Sequence, residues 1–129
     1  MPIVSVLMPC YNAAATLPEA LDSLQRQTLT DFEIIAVDDG SSDATLDILQ
    51  SYAAADPRLC ILACGHGGIV SALNAGLAKC SAPYIARMDA DDRAHAQRLE
   101  RQAAFLDANP GIDVVSCRVT AFPADQVRQ

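Results

Sequence analysis

The chain has 129 residues, 51% hydrophobic and 19% charged, which suits one domain with a buried core and excludes wholesale disorder. Nine Lys and Arg against 16 Asp and Glu give a formal net charge of -7, the wrong sign for a nucleic-acid-binding face. No apolar run approaches the roughly 18–20 residues needed to span a bilayer, and the first residues lack the basic and cleavage features of a signal peptide.

Residues 3–8 are a short β-branched run closed by Pro9, which predicts a buried strand. Thr16 is expected to cap a helix with Pro18 in its first turn. Leu17, Leu21 and Leu24 then recur at i, i+4 and i+7, giving one apolar face through Gln27. Residues 32–37 predict a second strand, stopped by Asp38-Asp39-Gly40-Ser41-Ser42. Ser42 or Asp43 would cap a second helix with Leu46, Leu49 and Ala53 inward, ending near Asp56-Pro57.

Residues 59–63 predict a third strand, followed by Gly65, Gly67 and Gly68 in a loop that needs backbone freedom. A third helix is expected over 69–78, with Ile69, Leu73 and Leu77 on its core face. Residues 84–88 predict a fourth strand that ends in an acidic run. A fourth helix over 95–108 stops at Asn109-Pro110-Gly111, and residues 112–119 predict a fifth strand. Cys10, Cys60, Cys64, Cys80 and Cys117 are odd in number and irregularly spaced, and they read as free buried thiols of a reducing cytoplasm.

Strands separated by helices of about three turns imply an α/β fold, an open, mainly parallel sheet with helices on both faces. In such a sheet all strands end at one edge, where ligands of this architecture bind. Tyr11, Asp39, the Gly67 loop, Asp89 and Asp91 all follow strand ends and are expected to converge there.

Asp89-Ala90-Asp91 places two carboxylates on one side of a tight turn. Such oxygens suit a hard cation, Mg²⁺ or Mn²⁺, that completes its shell with substrate phosphates. The alternative is a solvated turn that favours the next helix N-terminus. Asp38-Asp39-Gly40-Ser41 follows the second strand. A carboxylate there can accept a base ring N–H, or the whole run can be a turn and a helix cap. Two acidic turns on one edge favour a ligand, since gathered like charges cost stability.

Four segments in order resemble the signature of family 2 glycosyltransferases. They are Val4-Ser5-Val6-Leu7-Met8-Pro9-Cys10-Tyr11-Asn12, Val37-Asp38-Asp39-Gly40-Ser41-Ser42-Asp43-Ala44-Thr45, Asn74-Ala75-Gly76-Leu77-Ala78 and Ala86-Arg87-Met88-Asp89-Ala90-Asp91-Asp92. The resemblance implies a GT-A fold, a Rossmann-like nucleotide-binding half, and transfer of a sugar from a nucleotide-diphosphate donor, with UDP-sugars expected, with inversion. By the same resemblance Pro9 and Tyr11 line the base and ribose pocket. Asp39 binds the base with Asp38 beside it. Asp91 is the direct metal ligand, and Asp89 sits nearer the ribose or sugar and shares the metal. Arg87 approaches the donor sugar or phosphate, or else pairs with Asp38 or Asp92. His66 touches the donor or stands as an exposed loop histidine.

The resemblance covers residues 3–119. The expected division is a nucleotide-sugar-binding GT-A domain over 1–119 and a tail over 120–129. Family members run further and carry a carboxylate general base there, so the catalytic base is expected beyond residue 129 and the chain to be weak or inactive by itself. Expected partners are the nucleotide-diphosphate sugar, a sugar, lipid or polysaccharide acceptor, and a second copy of the chain, with no nucleic acid. The expected location is cytoplasmic or peripheral to the inner face of the membrane. A non-catalytic nucleotide-binding or scaffold module is the alternative. A phospho-acceptor receiver domain is disfavoured because Pro9-Cys10-Tyr11-Asn12 follows the first strand and the only lysine is Lys79. A dinucleotide oxidoreductase is disfavoured because no G-x-G-x-x-G stands there.

Overall fold

The apolar runs of the sequence form parallel strands, and the amphipathic stretches between them return the chain as helices. The computed structural model describes residues 1–122; residues 123–129, most of the expected tail, lie outside the described residues. The order is β1 (Val4–Cys10), α1 (Leu17–Gln25), β2 (Phe32–Asp39), α2 (Thr45–Ala55), β3 (Leu59–Cys64), α3 (Ile69–Leu77), β4 (Tyr84–Arg87) and α4 (Arg98–Ala108). The sheet order is β3-β2-β1-β4. Every pairing is parallel, with Val4 opposite both Phe32 and Tyr84 and Cys10 opposite Asp38. The chain steps outward from β1 to β3 and then crosses to the other side of β1, so strand order reverses between β1 and β4. That is where a crevice opens in such sheets.

Strand side chains alternate between faces. Val4, Val6, Met8 and Cys10 share one face with Phe32, Ile34 and Ala36, and pack against α1, α2 and α4 through Leu17, Leu21, Leu24, Leu49 and Leu99. Each fully buried leucine contributes about 1.5–3 kcal/mol relative to an exposed one. Leu7, Ile35 and Val37 point to the other face and meet α3 at Ala72. The sheet is therefore covered on both sides, as expected.

The expected core face of α3 is corrected. Ile69 is 56% and Leu77 48% exposed, while Ala72 and Gly76 are buried. A Cβ on Gly76 would stand 2.4 Å from Leu7 Cδ1 and 2.7 Å from Val37 Cγ2. The small residues face inward because the helix backbone lies close against the sheet; of the expected stripe Leu73 packs, half-buried, against this core, while Ile69 and Leu77 do not.

The fifth strand is also corrected. Residues 112–119 join no sheet among the described residues. Their Asp113–Cys117 portion instead lines a groove of ≈ 390 Å³ beside β4 and α4. Val114 and Val119 remain exposed. β-branched residues favour strands only where a neighbouring strand and a face to bury against are available. The fourth helix starts at Arg98 rather than at residue 95. All five cysteines are free, Cys10 buried but Cys60 and Cys117 exposed, contrary to the buried reading. Among the described residues no helix is long and apolar enough to cross a membrane.

Candidate functional site

Four parallel strands end at the same rim, and the loops leaving them enclose a cleft of ≈ 480 Å³. Pro9 and Tyr11 come from the end of β1, Asp39 from the end of β2, and Asp89 and Asp91 from the turn after β4. His66 and Gly68 come from the loop before α3. Aspartates far apart in sequence thus meet at one rim, as the strand directions require.

The base of the rim is tied by polar side chains. Asn12 sits at φ 48°, in the left-handed region that asparagine tolerates. Its Oδ1 accepts the Ser42 N–H at 2.8 Å, and its own N–H donates to Ser41 Oγ at 3.0 Å. The buried Thr45 Oγ1 accepts the Ala13 N–H at 2.9 Å. Asp43 accepts the Ala14 N–H at 3.1 Å and the Thr45 N–H at 3.0 Å. The Thr45 hydroxyl, followed by the Thr45 and Ala14 N–H groups, outweighs burial and holds the Asp43 carboxyl below its ordinary range. Expected cap residues therefore stitch the β1–α1 loop to the β2–α2 loop. Thr16 likewise makes no side-chain cap bond to its helix; its hydroxyl donates to the Ala90 carbonyl at 3.1 Å and anchors the acidic turn.

Asp39 is 5% exposed and belongs to the end of β2, not to the turn beyond it. Its Oδ1 accepts the Gly67 N–H at 2.9 Å, and its Oδ2 accepts the Gly68 N–H at 3.1 Å and lies 3.0 Å from His66 Nδ1. The Gly67 N–H above all, with Gly68 and His66 adding, outweighs burial and keeps this carboxyl below the usual carboxylate range. Gly68 supplies φ 92° for this approach. The Tyr11 ring stacks on His66 with centroids 4.3 Å apart and planes at 20°.

Two expected residues lie elsewhere. Asp38 is buried behind the cleft and its Oδ1 accepts the Ser41 N–H at 3.3 Å. Arg87 borders the second groove, and its Nη1 pairs with Asp89 Oδ1 at 2.9 Å rather than with Asp38 or Asp92.

On the acidic side, the Asp92 N–H donates to the Asp89 carbonyl at 3.1 Å and tightens the turn. Carboxylate oxygens of Asp89, Asp91 and Asp92 lie within 4.8 Å of one another, all exposed. Partial desolvation in the turn, exposed as it is, and then the charges of Asp91 and Asp89 push the Asp92 carboxyl up. Three hard oxygen donors with mutual repulsion fit a divalent cation. Asp92 stands in the same acidic run, one residue beyond the Asp89-Ala90-Asp91 pair to which the sequence assigns the metal. The His66 contacts were missed, because nothing in a glycine loop announces a partner.

The family model described as Glycosyl transferase family 2 matches residues 5–128. An uncharacterized glycosyltransferase, EpsJ of Bacillus subtilis, is 37% identical over 117 residues, covering 91% of this chain and 34% of that protein. A PGL/p-HBAD biosynthesis glycosyltransferase of Mycobacterium bovis is 39% identical over 116 residues, covering 88% of this chain and 45% of its own length. The chain therefore spans between a third and a half of these relatives. S. aureus TarS 1-349 in complex with UDP-GlcNAc superposes with a TM-score of 0.79 at 31% identity, over 85% of this chain and 32% of TarS 1-349. The mannosyltransferase PcManGT from Pyrobaculum calidifontis, in complex with GDP-Man and Mn²⁺, gives 0.84 at 28% identity, over 91% and 35%. Its sheet is the GT-A, Rossmann-like arrangement of these neighbours, and by sequence and fold together this chain belongs to glycosyl transferase family 2.

Proposed function

We propose that the cleft binds a nucleotide-diphosphate sugar and that the whole protein transfers the sugar, with inversion, to an acceptor hydroxyl of a sugar, lipid or polysaccharide. The observation that carries the reading is the gathering of Pro9, Tyr11, Asp39, Asp89 and Asp91 from three strand ends along one cleft. Asp39, ionised and buried, accepts a base ring N–H, as from uracil. Tyr11 and Pro9 offer flat surfaces to base and ribose. Asp38 acts beside Asp39 by holding the Ser41 turn.

Asp91 is assigned as the direct ligand of Mg²⁺ or Mn²⁺, and Asp89 shares it or meets the ribose. Asp92 is the third carboxylate of this group. A bound divalent ion neutralises the pyrophosphate and stabilises the charge left on the departing nucleotide. The neighbour bound to UDP-GlcNAc supports a UDP-sugar donor, and the one bound to GDP-Man and Mn²⁺ supports cation use. Arg87 is assigned to the donor side, where release from Asp89 would free its guanidinium for a phosphate. The general base is assigned to sequence beyond residue 129, residues 1–119 to donor binding, and the setting to the cytoplasm, with the inner face of the membrane as the alternative for the whole protein. Exposed Ile69, Val70 and Leu77 on α3 and Ile85 on β4 support association with a second copy.

Calorimetry with UDP, GDP and TDP sugars, with and without Mn²⁺, tests the reading. Asp91→Ala abolishes the cation-dependent part of binding, and Asp39→Ala weakens binding whether or not the cation is present. Absence of heat with every donor would refute it.

A further inference from the structure

The His66 ring makes two contacts at once. It lies flat on Tyr11 at 4.3 Å, and its Nδ1 is 3.0 Å from Asp39 Oδ2 and 3.1 Å from the Asp39 carbonyl. Both oxygens are acceptors only, so Nδ1 carries the hydrogen and donates. A flat ring bearing one N–H donor is also what a nucleobase offers to an aromatic face and a carboxylate. Aromatic centroids in a stack stand roughly 4.5–7 Å apart, so nothing enters between Tyr11 and His66 as they lie.

We propose that His66 is a resident competitor for the nucleobase, covering Tyr11 and holding an acceptor of Asp39, so that a nucleotide turns the imidazole out as its base enters. The inference rests on the nucleotide reading of the cleft. The exchange is confined to a side chain. The His66 backbone is pressed against Gly40, which sits at φ 71° and where a Cβ would stand 2.5 Å from the His66 nitrogen. The side chain is 55% exposed, so little packing resists its rotation. Asp39 stays oriented when the ring leaves, since the Gly67 and Gly68 N–H groups still hold one oxygen each. The oxygen vacated by Nδ1 is the one offered to the incoming base N–H.

Apparent affinity falls by the fraction of molecules whose site is open. The 129-residue chain and its His66→Ala variant are titrated with UDP and with GDP in the presence of Mn²⁺. The variant is expected to bind the preferred diphosphate about three- to tenfold more tightly. Equal or weaker binding by the variant, while the parent chain binds, overturns the competitor and leaves the nucleotide site standing. Binding by neither protein sinks the nucleotide reading and the competitor with it. Proton resonances give a second readout. The His66 ring protons are expected upfield under Tyr11 and shift downfield as UDP saturates the site; ring protons that stay in place at saturation overturn the exchange.

Discussion

Arg87 Nη1 stands 2.9 Å from Asp89 Oδ1, across the boundary between the two grooves that flank the end of β4. Both side chains are substantially exposed, so the pair contributes at most about 1 kcal/mol to stability. Its effect falls on the neighbouring carboxylates, since a cation there opposes a second cation. Arg87→Ala is expected to leave the melting temperature almost unchanged and to tighten Mn²⁺ binding about two- to fivefold in the absence of nucleotide. A titration followed by Mn²⁺ paramagnetic relaxation reads this, and weaker Mn²⁺ binding would contradict it.

Thr45 is fully buried and its hydroxyl serves the Ala13 N–H at the root of the cleft. Thr45→Val keeps the shape and removes the acceptor. Leaving that donor unpaired costs about 1–3 kcal/mol. Urea unfolding should show the loss, and nucleotide binding should weaken with it because Ala13 lines the cleft. Unchanged stability would mean the two loops are not joined through this hydroxyl.

Gly76→Ala gains up to about 1 kcal/mol in helix propensity but forces a methyl into Leu7 and Val37. The Leu7 methyl can swing away. Val37 is β-branched and stiff at χ1, so it cannot. Overpacking of this kind costs about 1–3 kcal/mol, and net destabilisation is expected in the same urea experiment.

Acid should unfold the protein through its carboxylates. Asp39 is held below its ordinary range by the Gly67 N–H above all, and Asp56 by the Arg58 side chain. Depressed native pKa values mean the stabilisation is complete above the unfolded value, about pH 4, and is lost as pH falls through the native values. Melting temperature should therefore be flat from neutrality to about pH 5 and drop below about pH 4. Asp39→Asn should flatten part of that drop, and an unchanged profile would remove Asp39 from the account.

The convergence of Tyr11, Asp39, Asp89 and Asp91 was legible because strand direction alone fixes which loops share an edge. The stripe Leu17, Leu21 and Leu24 was legible because burial follows the helical period where the partner is a wide apolar face. The same reasoning failed on α3. There the tight approach to the sheet selected Ala72 and Gly76 and left only Leu73 of the stripe half-buried, and no hydrophobic period reports how closely a helix approaches. It failed again over 112–119, where the residues favour a strand but find no partner strand among the described residues. The contacts of His66, a residue the sequence does offer as a donor contact, were illegible for a different reason: they depend on where Gly67 and Gly68 turn the backbone toward Asp39. The signal lay in the glycines flanking it, which mark a close backbone approach without saying to what.

β1 sits at the centre of the sheet with a neighbour on each side, Val4 facing Phe32 on one side and Tyr84 on the other. The first partner is available early in synthesis, the second only after β2, β3 and three helices have left the ribosome. Closing so long a loop is entropically costly and slows folding. A largely buried strand thus spends much of translation with one flank bare, until β4 emerges to cover it.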